Sequence, residues 1–166
     1  MTDLAQPLRY ADMLAQARRH VRELMPWDLA ERLAAPDAPL LLDVREPAEF
    51  ARLHIAGSIN VPRGVLEQAC EWDHDETEPA LVSDRGRAIA VICRSGKRSL
   101  LAAETLLALG FTCVVSLATG LRGWNDAEQP LVDGEGRPLD ADSAEPLLAS
   151  RLRADQKRPA AASHRQ

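Results

Sequence analysis

An apolar run, Ala88-Ile89-Ala90-Val91-Ile92, passes through Cys93-Arg94-Ser95-Gly96-Lys97-Arg98-Ser99 into a helical pattern that ends at Gly110. The run is bounded upstream by Asp84-Arg85-Gly86-Arg87 and shows no polar alternation. A strand apolar along its whole length is covered on both faces, which is the condition of a parallel sheet. Leu100 to Leu109 keeps the helical period, and glycine is the usual residue just past a helix end. Strand, short loop and helix in that order predict an α/β fold.

The remaining segments agree with that prediction. Pro39 to Val44 reads as a first strand, Glu46 to Arg52 as a short helix opened by Pro47, and Ile55 to Val61 as holding a second short strand. Val65 to Cys70 reads as helical, Phe111 to Leu117 as another strand, and Thr119 to Trp124 as a turn closed by an aromatic plug. Upstream, Tyr10, Leu14, Ala17, Val21 and Leu24 form one apolar stripe over residues 8–25, predicting a helix that Pro26 ends; Trp27 to Leu33 predicts a second. That stripe suits a packing arm or a dimer contact. Downstream, Gly134, Gly136 and Pro138 mark a turn, and Ser143 to Leu152 predicts a last helix. Asp155 to Gln166 is rich in Ala, Arg and Pro and is expected to be disordered. Residues 1–36 therefore read as an N-terminal helical extension, 37–133 as the α/β domain, and 134–166 as a C-terminal extension.

The chemistry is expected at Cys93. In an open α/β sheet, ligands bind beyond the carboxyl ends of the strands. Cys93 lies at such an end, as do Asp43 and Arg45, and the turn at Thr119-Gly120 follows another. A cysteine between strand and helix has its sulfur near free backbone N–H groups and the positive helix end. Arg94, Lys97 and Arg98 add three cations and no acid to those seven residues, in a chain of formal net charge −5. Such surroundings lower a thiol's pKa. Gly96 supplies the residue able to take positive φ, so that loop amides can curl around a thiolate or a persulfide anion. Cys93 reads as the nucleophile, with Arg94, Ser95, Gly96, Lys97, Arg98 and Ser99 as the groups that hold an anionic substrate.

Other candidates read as support. Arg45 and Glu49, four apart, have a salt-bridge spacing, and with Asp43 they brace the rim of the site. His54 is expected to bond to backbone near Asn60, and Trp124 to plug the core. Cys70 and Cys113 read as core or rim thiols, and no Cys-x-x-Cys occurs among the three cysteines. Glu71-Trp72-Asp73-His74-Asp75-Glu76-Thr77-Glu78 holds five acids without metal-site spacing and reads as a solvated loop.

Composition excludes several classes. A pI near 5.4 is wrong for a general nucleic-acid binder. The longest apolar runs are too short for a membrane span, and early Asp3 and Asp12 argue against a signal or transit peptide. Few, widely spaced cysteines fit a reducing cytoplasm. No metal or cofactor is expected, and the chain is expected to be a monomer or homodimer.

Four segments together resemble the single-domain rhodaneses, the thiosulfate sulfurtransferases. They are Asp43-Val44-Arg45-Glu46-Pro47-Ala48-Glu49-Phe50; His54-Ile55-Ala56-Gly57-Ser58-Ile59-Asn60-Val61-Pro62; Val91-Ile92-Cys93-Arg94-Ser95-Gly96-Lys97-Arg98-Ser99; and Gly120-Leu121-Arg122-Gly123-Trp124. They span about residues 39–132 in the family's order. The resemblance implies a rhodanese-like fold, a mostly parallel central sheet flanked by helices, and a persulfide on Cys93 within a loop of residues 93–98. The family often has Gly-Gly before the tryptophan turn, where this chain has Thr119-Gly120; little consequence is expected. The cationic loop favours a small inorganic sulfur anion over 3-mercaptopyruvate.

Three functions remain open at this point. One is a sulfurtransferase moving sulfane sulfur from thiosulfate to a thiophilic acceptor, a protein thiol among the candidates. The second is a persulfide carrier or redox relay serving a protein partner; an exposed, acidic thiol suits both. The third, a Cys-x5-Arg phosphatase, is disfavoured because Ser99 stands six positions after Cys93 and arginine comes one residue earlier, at Arg98.

Overall fold

A computed structural model describes residues 6–160. The N-terminal part forms α1 (Tyr10–Ala17), β1 (Arg22–Leu24) and α2 (Pro26–Leu33). Then come β2 (Leu40–Asp43), α3 (Pro47–Arg52), β3 (Leu53–His54), β4 (Ile59–Asn60), α4 (Leu66–Ala69), α5 (Pro79–Val82) and β5 (Ile89–Ile92). The chain continues through α6 (Lys97–Ala108), β6 (Val114–Leu117), α7 (Gly120–Asp126), β7 (Leu131–Asp133), β8 (Pro138–Leu139) and α8 (Ala141–Leu148). The central sheet has the order β1-β6-β5-β2-β4, and its pairings are parallel. A small antiparallel sheet, β3-β7-β8, lies apart from it.

The apolar strands are covered on both faces, as their sequences require. Leu40, Leu42 and Val44 point into one core with Ile89, Val91, Val114 and the α6 residues Leu100, Ala103 and Leu106. Leu41, Ala90, Ile92, Val115 and Leu117 point the other way, onto Leu29 of α2, Leu121 and Trp124 of α7, and Ala144 and Leu148 of α8. Strand periodicity thus sorts one run of residues into two cores. Trp124 is buried in the second, its indole N–H donating to Pro130 O at 2.9 Å.

Three sequence expectations are corrected. The helix expected over residues 8–25 stops at Ala17, and Arg22–Leu24 instead adds a parallel strand beside β6. Leu14, Ala17, Val21 and Leu24 are buried as the stripe predicts, while Tyr10 is exposed. Pro26 opens α2 at its first turn, where its missing N–H costs nothing, and does not close a preceding helix. Thr119 to Trp124 is not a plain turn: Thr119 and Gly120, at φ +66° and +62°, reverse the chain directly into α7. The antiparallel sheet and α5 were not expected. Its strands of two or three residues carry little pattern, and Leu53 finds Asp133 across the domain.

The acidic stretch 71–78 is largely exposed, in turns held by bonds such as Thr77 Oγ1 to Glu71 O at 2.6 Å. Of the tail expected to be disordered from Asp155, residues 155 and 156 belong to a 3₁₀ turn that starts at Ala154 and residues 155–160 are exposed; residues 161–166 lie outside the described residues. Among the described residues no helix is long and apolar enough to cross a membrane.

Candidate functional site

Three segments meet at the carboxyl edge of the central sheet, because their strands lie in register. Asp43 of β2 pairs with Ile92 of β5, and Val91 of β5 with Ser116 of β6. Cys93 follows β5 immediately. By strand parity its side chain faces the α6 side, and it joins Val91 in that core. The loop then turns at Gly96, whose φ of +87° leads straight into α6. An alanine Cβ there would stand 2.9 Å from Thr119 N and 3.1 Å from Leu117 O. From the other side, α7 docks on the loop backbone. Leu121 N–H donates to Cys93 O at 2.9 Å and Arg122 N–H to Arg94 O at 3.0 Å. Gly120 makes this possible, since a Cβ there would fall 2.5 to 2.6 Å from backbone atoms of Arg94 and Cys93.

The sulfur lies at the floor of this loop. Gly96 N–H donates to Cys93 Sγ at 3.1 Å, and Ser99 Oγ is 3.3 Å away. Ser99 is itself bonded to Ser116 Oγ at 2.9 Å, and both serines are fully buried. α6 starts at Lys97, so its positive end is beside the sulfur. Of the amide ring expected from the sequence, one bond to sulfur, from Gly96, is formed among the described residues. The exposed thiol expected for Cys93 is also corrected, for its relative exposure is 0%. It packs on the α6 side of the sheet, in the same core as Val91 and Leu100.

The residues expected to hold an anion divide by position. Lys97 is exposed, Arg94 and Ser95 are half-buried, and Gly96 and Ser99 are buried, with Ser99 behind the sulfur and not at the loop mouth. Arg94 Nε is buried with no hydrogen-bond partner among the described residues. Arg98 is already engaged: its two terminal nitrogens donate to the two Glu49 oxygens, each at 2.8 Å. That hydrogen bond is the main reason the Glu49 carboxyl is lowered to about 2. A shallow cleft of about 280 Å³, lined by Ser95, Thr119, Arg122, Gly123 and Asp126, adjoins the loop.

Glu49 reaches this loop through Arg98 and Asp43 lies beside Ile92 in the sheet, while Arg45 and His54 take partners other than those expected. Arg45 does not pair with Glu49. It is buried and makes a forked ion pair with Asp43, Nε to Oδ1 at 2.9 Å and Nη2 to Oδ2 at 2.7 Å, and also donates to Leu53 O at 2.8 Å. The i, i+4 rule fails because α3 begins at Pro47, leaving Arg45 off the helix. Asn60 Nδ2 ties Asp43 O and Arg45 O together at 3.0 and 2.9 Å. His54 bonds through Nδ1 to Phe50 O at 3.0 Å, not near Asn60, and stacks on the Phe50 ring at 4.0 Å. Its ring reaches back over the end of α3, one turn away. Cys70 is buried and Cys113 is exposed, and all three thiols are free.

Sequence reasoning missed Ser116. The available signal was one hydroxyl in an otherwise apolar strand, Val114-Val115-Ser116-Leu117.

Comparison with known proteins agrees with this architecture. Residues 25–127 match the family model described as Rhodanese-like domain. A sulfurtransferase of Allochromatium vinosum is 30% identical over 118 residues, covering 70% of this chain and 99% of that protein. A putative sulfur carrier protein of Bacillus subtilis is 34% identical over 84 residues, 51% of this chain but 40% of that longer protein. Among solved structures, a Rhodopseudomonas palustris protein of unknown function, described as a possible tyrosine phosphatase, superposes with a TM-score of 0.65 at 28% identity, over 74% of this chain and 93% of that one. A thiosulfate sulfurtransferase of Pseudomonas aeruginosa gives 0.62 at 29% identity, over 77% of this chain and 23% of that one. With the α/β sheet, the loop after β5 and a family match over more than half its length, this chain belongs to the rhodanese-like family, among the sulfurtransferases.

Proposed function

We propose that this chain moves sulfane sulfur from thiosulfate, or a similar anionic donor, to a thiophilic acceptor through a persulfide on Cys93. The observation that carries this reading is the sulfur itself, taking Gly96 N–H at 3.1 Å beside the start of α6. A partial positive charge already aimed at sulfur stabilises the anionic forms on both sides of the transfer. The Cys93 thiolate attacks the outer sulfur of thiosulfate. A new S–S bond forms, the donor's own S–S bond breaks, and sulfite leaves with the electron pair. The acceptor, cyanide or a thiolate, then attacks the terminal sulfur and regenerates the Cys93 thiolate.

Arg94 and Lys97 are the donor's counter-charges in this reading. The partnerless Arg94 Nε is a buried charged donor that a bound oxyanion would satisfy. Arg98 contributes less, because Glu49 neutralises it. Since Cys93 is covered, the donor reaches it only when the loop side chains move apart. Asp43, Arg45, Glu49 and His54 hold the frame and take no part in proton transfer. Three free thiols fit a reducing compartment.

The test is intact-mass analysis after thiosulfate treatment. The protein should gain one sulfur atom, located on the Cys93 peptide, and lose it to cyanide. A Cys93→Ser protein that still gains the sulfur overturns the reading. A second reading, delivery of the persulfide to a specific protein, is favoured by the likeness to the B. subtilis sulfur carrier. It predicts slow discharge to cyanide beside fast discharge to one protein thiol. Phosphatase chemistry fits less well, because the sixth residue after Cys93 is the buried Ser99 and Arg98 is tied to Glu49.

A further inference from the structure

The serine pair behind the sulfur has no role in the reading above. Ser116 stands in β6 with Val114, Val115 and Leu117, and all four are buried. A buried hydroxyl in such a strand is costly unless bonded. Its one side-chain partner among the described residues is Ser99 Oγ, at 2.9 Å. Ser99 in turn has one further side-chain hydrogen bond among the described residues, with Cys93 Sγ at 3.3 Å. Strand parity puts Cys93 and Ser116 on the same face of neighbouring strands, with the first turn of α6 bringing Ser99 between them.

We propose that Ser116 is a positioning residue for the Cys93 anion, acting through Ser99. A serine hydroxyl has one proton and two acceptor sites. While Cys93 is a thiol, Ser99 Oγ can accept from S–H and from the Ser116 hydroxyl together. Once the thiol proton has passed to bulk water, the sulfur can only accept. Ser99 then turns its proton onto the sulfur while its oxygen keeps the bond from Ser116. The Ser116 bond occupies an Oγ lone pair in both states, so the Ser99 proton is left free for sulfur. It also polarises Ser99 as a donor, since hydrogen bonds in a chain strengthen one another. Cys93 thereby has a donor from its loop, Gly96 N–H, and a second from the core beneath it. The charged groups on the surrounding elements are Arg94, Lys97 and Arg98 of the loop and α6, Glu49 of α3, Asp43 and Arg45 at the end of β2, and Arg122 of α7. Substituting Ser116 changes none of them.

The inference concerns the anion that the proposed sulfur transfer uses, yet it can be tested without that transfer. The experiment is the rate of Cys93 alkylation by iodoacetamide at pH 7, followed by peptide mass so that Cys113 is counted separately. Ser116→Ala should slow alkylation by about 3- to 10-fold, the loss of one link in a charge-assisted chain. Ser116→Thr, which keeps the hydroxyl, should restore most of the rate. The double variant Ser99→Ala with Ser116→Ala should be no slower than Ser99→Ala alone, because the two residues act in series. An unchanged rate in Ser116→Ala overturns the proposal, and so do effects of the two serines that multiply. If the added methyl of Ser116→Thr disturbs the core, the double-variant comparison still decides. Loss of sulfur uptake by Cys93→Ser tests the persulfide reading separately and leaves this result standing.

Discussion

Cys93 and Cys70 are both at 0% exposure and belong to the same hydrophobic core, yet their surroundings are opposite. Cys70 closes the short helix α4, and its sulfur has no hydrogen bond among the described residues. Burial is the largest influence on it and pushes its thiol up to about 11. Cys93 has an amide at 3.1 Å and a hydroxyl at 3.3 Å, with α6 beginning four residues later. Burial alone makes a thiol inert; burial among aimed donors makes a place where a negative sulfur is solvated by the protein. The difference lies in where each residue falls. Cys70 ends a helix, where the free groups are carbonyls, and Cys93 precedes one, where they are amides.

The sharpest way to break this comparison is to remove each sulfur in turn. Cys93→Ala should reduce sulfur uptake from thiosulfate by on the order of 10³-fold or more. Cys70→Ala should leave uptake unchanged while costing about 1 kcal/mol of stability as a small core deletion. Equal losses in the two would show that the polar surroundings of Cys93 confer nothing. Next in size is the loop backbone. Gly96→Ala forces a side chain to φ +87° and to 2.9 Å from Thr119 N. It should cost roughly 1–3 kcal/mol in urea unfolding and sulfur uptake as well. A Gly96→Ala protein of undiminished uptake would mean that loop curvature does not matter to the sulfur.

A smaller effect belongs to the clasp between α3 and the loop. Glu49 is lowered from its ordinary 4.5 to about 2, chiefly by the Arg98 hydrogen bond. Its contribution to folding is therefore present above pH 4.5 and is lost as pH falls through that value towards 2. Both partners are about one-third exposed, so solvent screening limits the pair to about 1 kcal/mol. Glu49→Gln should be less stable than the parent by that amount at pH 7, and the gap should close in acid. A gap constant down to pH 2 would place the energy elsewhere. The smallest effect is a difference in labelling. At pH 8 a thiolate-directed reagent should modify exposed Cys113 and leave Cys70, raised to about 11, intact until the protein unfolds.

The legible parts of the molecule were those written in neighbouring residues. The β5–loop–α6 unit follows from an apolar run, a glycine able to take positive φ and a helical period, all within residues 88–110. The partnerships around it were not legible. Arg98 meets Glu49 from 49 positions away, and Ser99 meets Ser116 from 17. Both depend on the order of strands in the sheet, which no local spacing encodes. The i, i+4 rule misassigned Glu49 to Arg45 because it presumes a helix that had not begun at Arg45. Thr119, from which little consequence is expected, adopts φ +66°, a conformation unusual for a β-branched residue. Its side chain also fills the space that a Cβ on Gly123 would need.

The strand contributed by Arg22–Leu24 carries a practical consequence for anyone trimming this protein. The family match starts at residue 25, just past β1. A version shortened to that match would strip the outer rail from β6 and bare the row of amides and carbonyls along Val115 to Leu117. It would also uncover the patch that Leu14, Ala17 and Val21 shield. An unpaired, apolar border of that kind is a template for another chain, so the shortened protein should clump where the longer one does not.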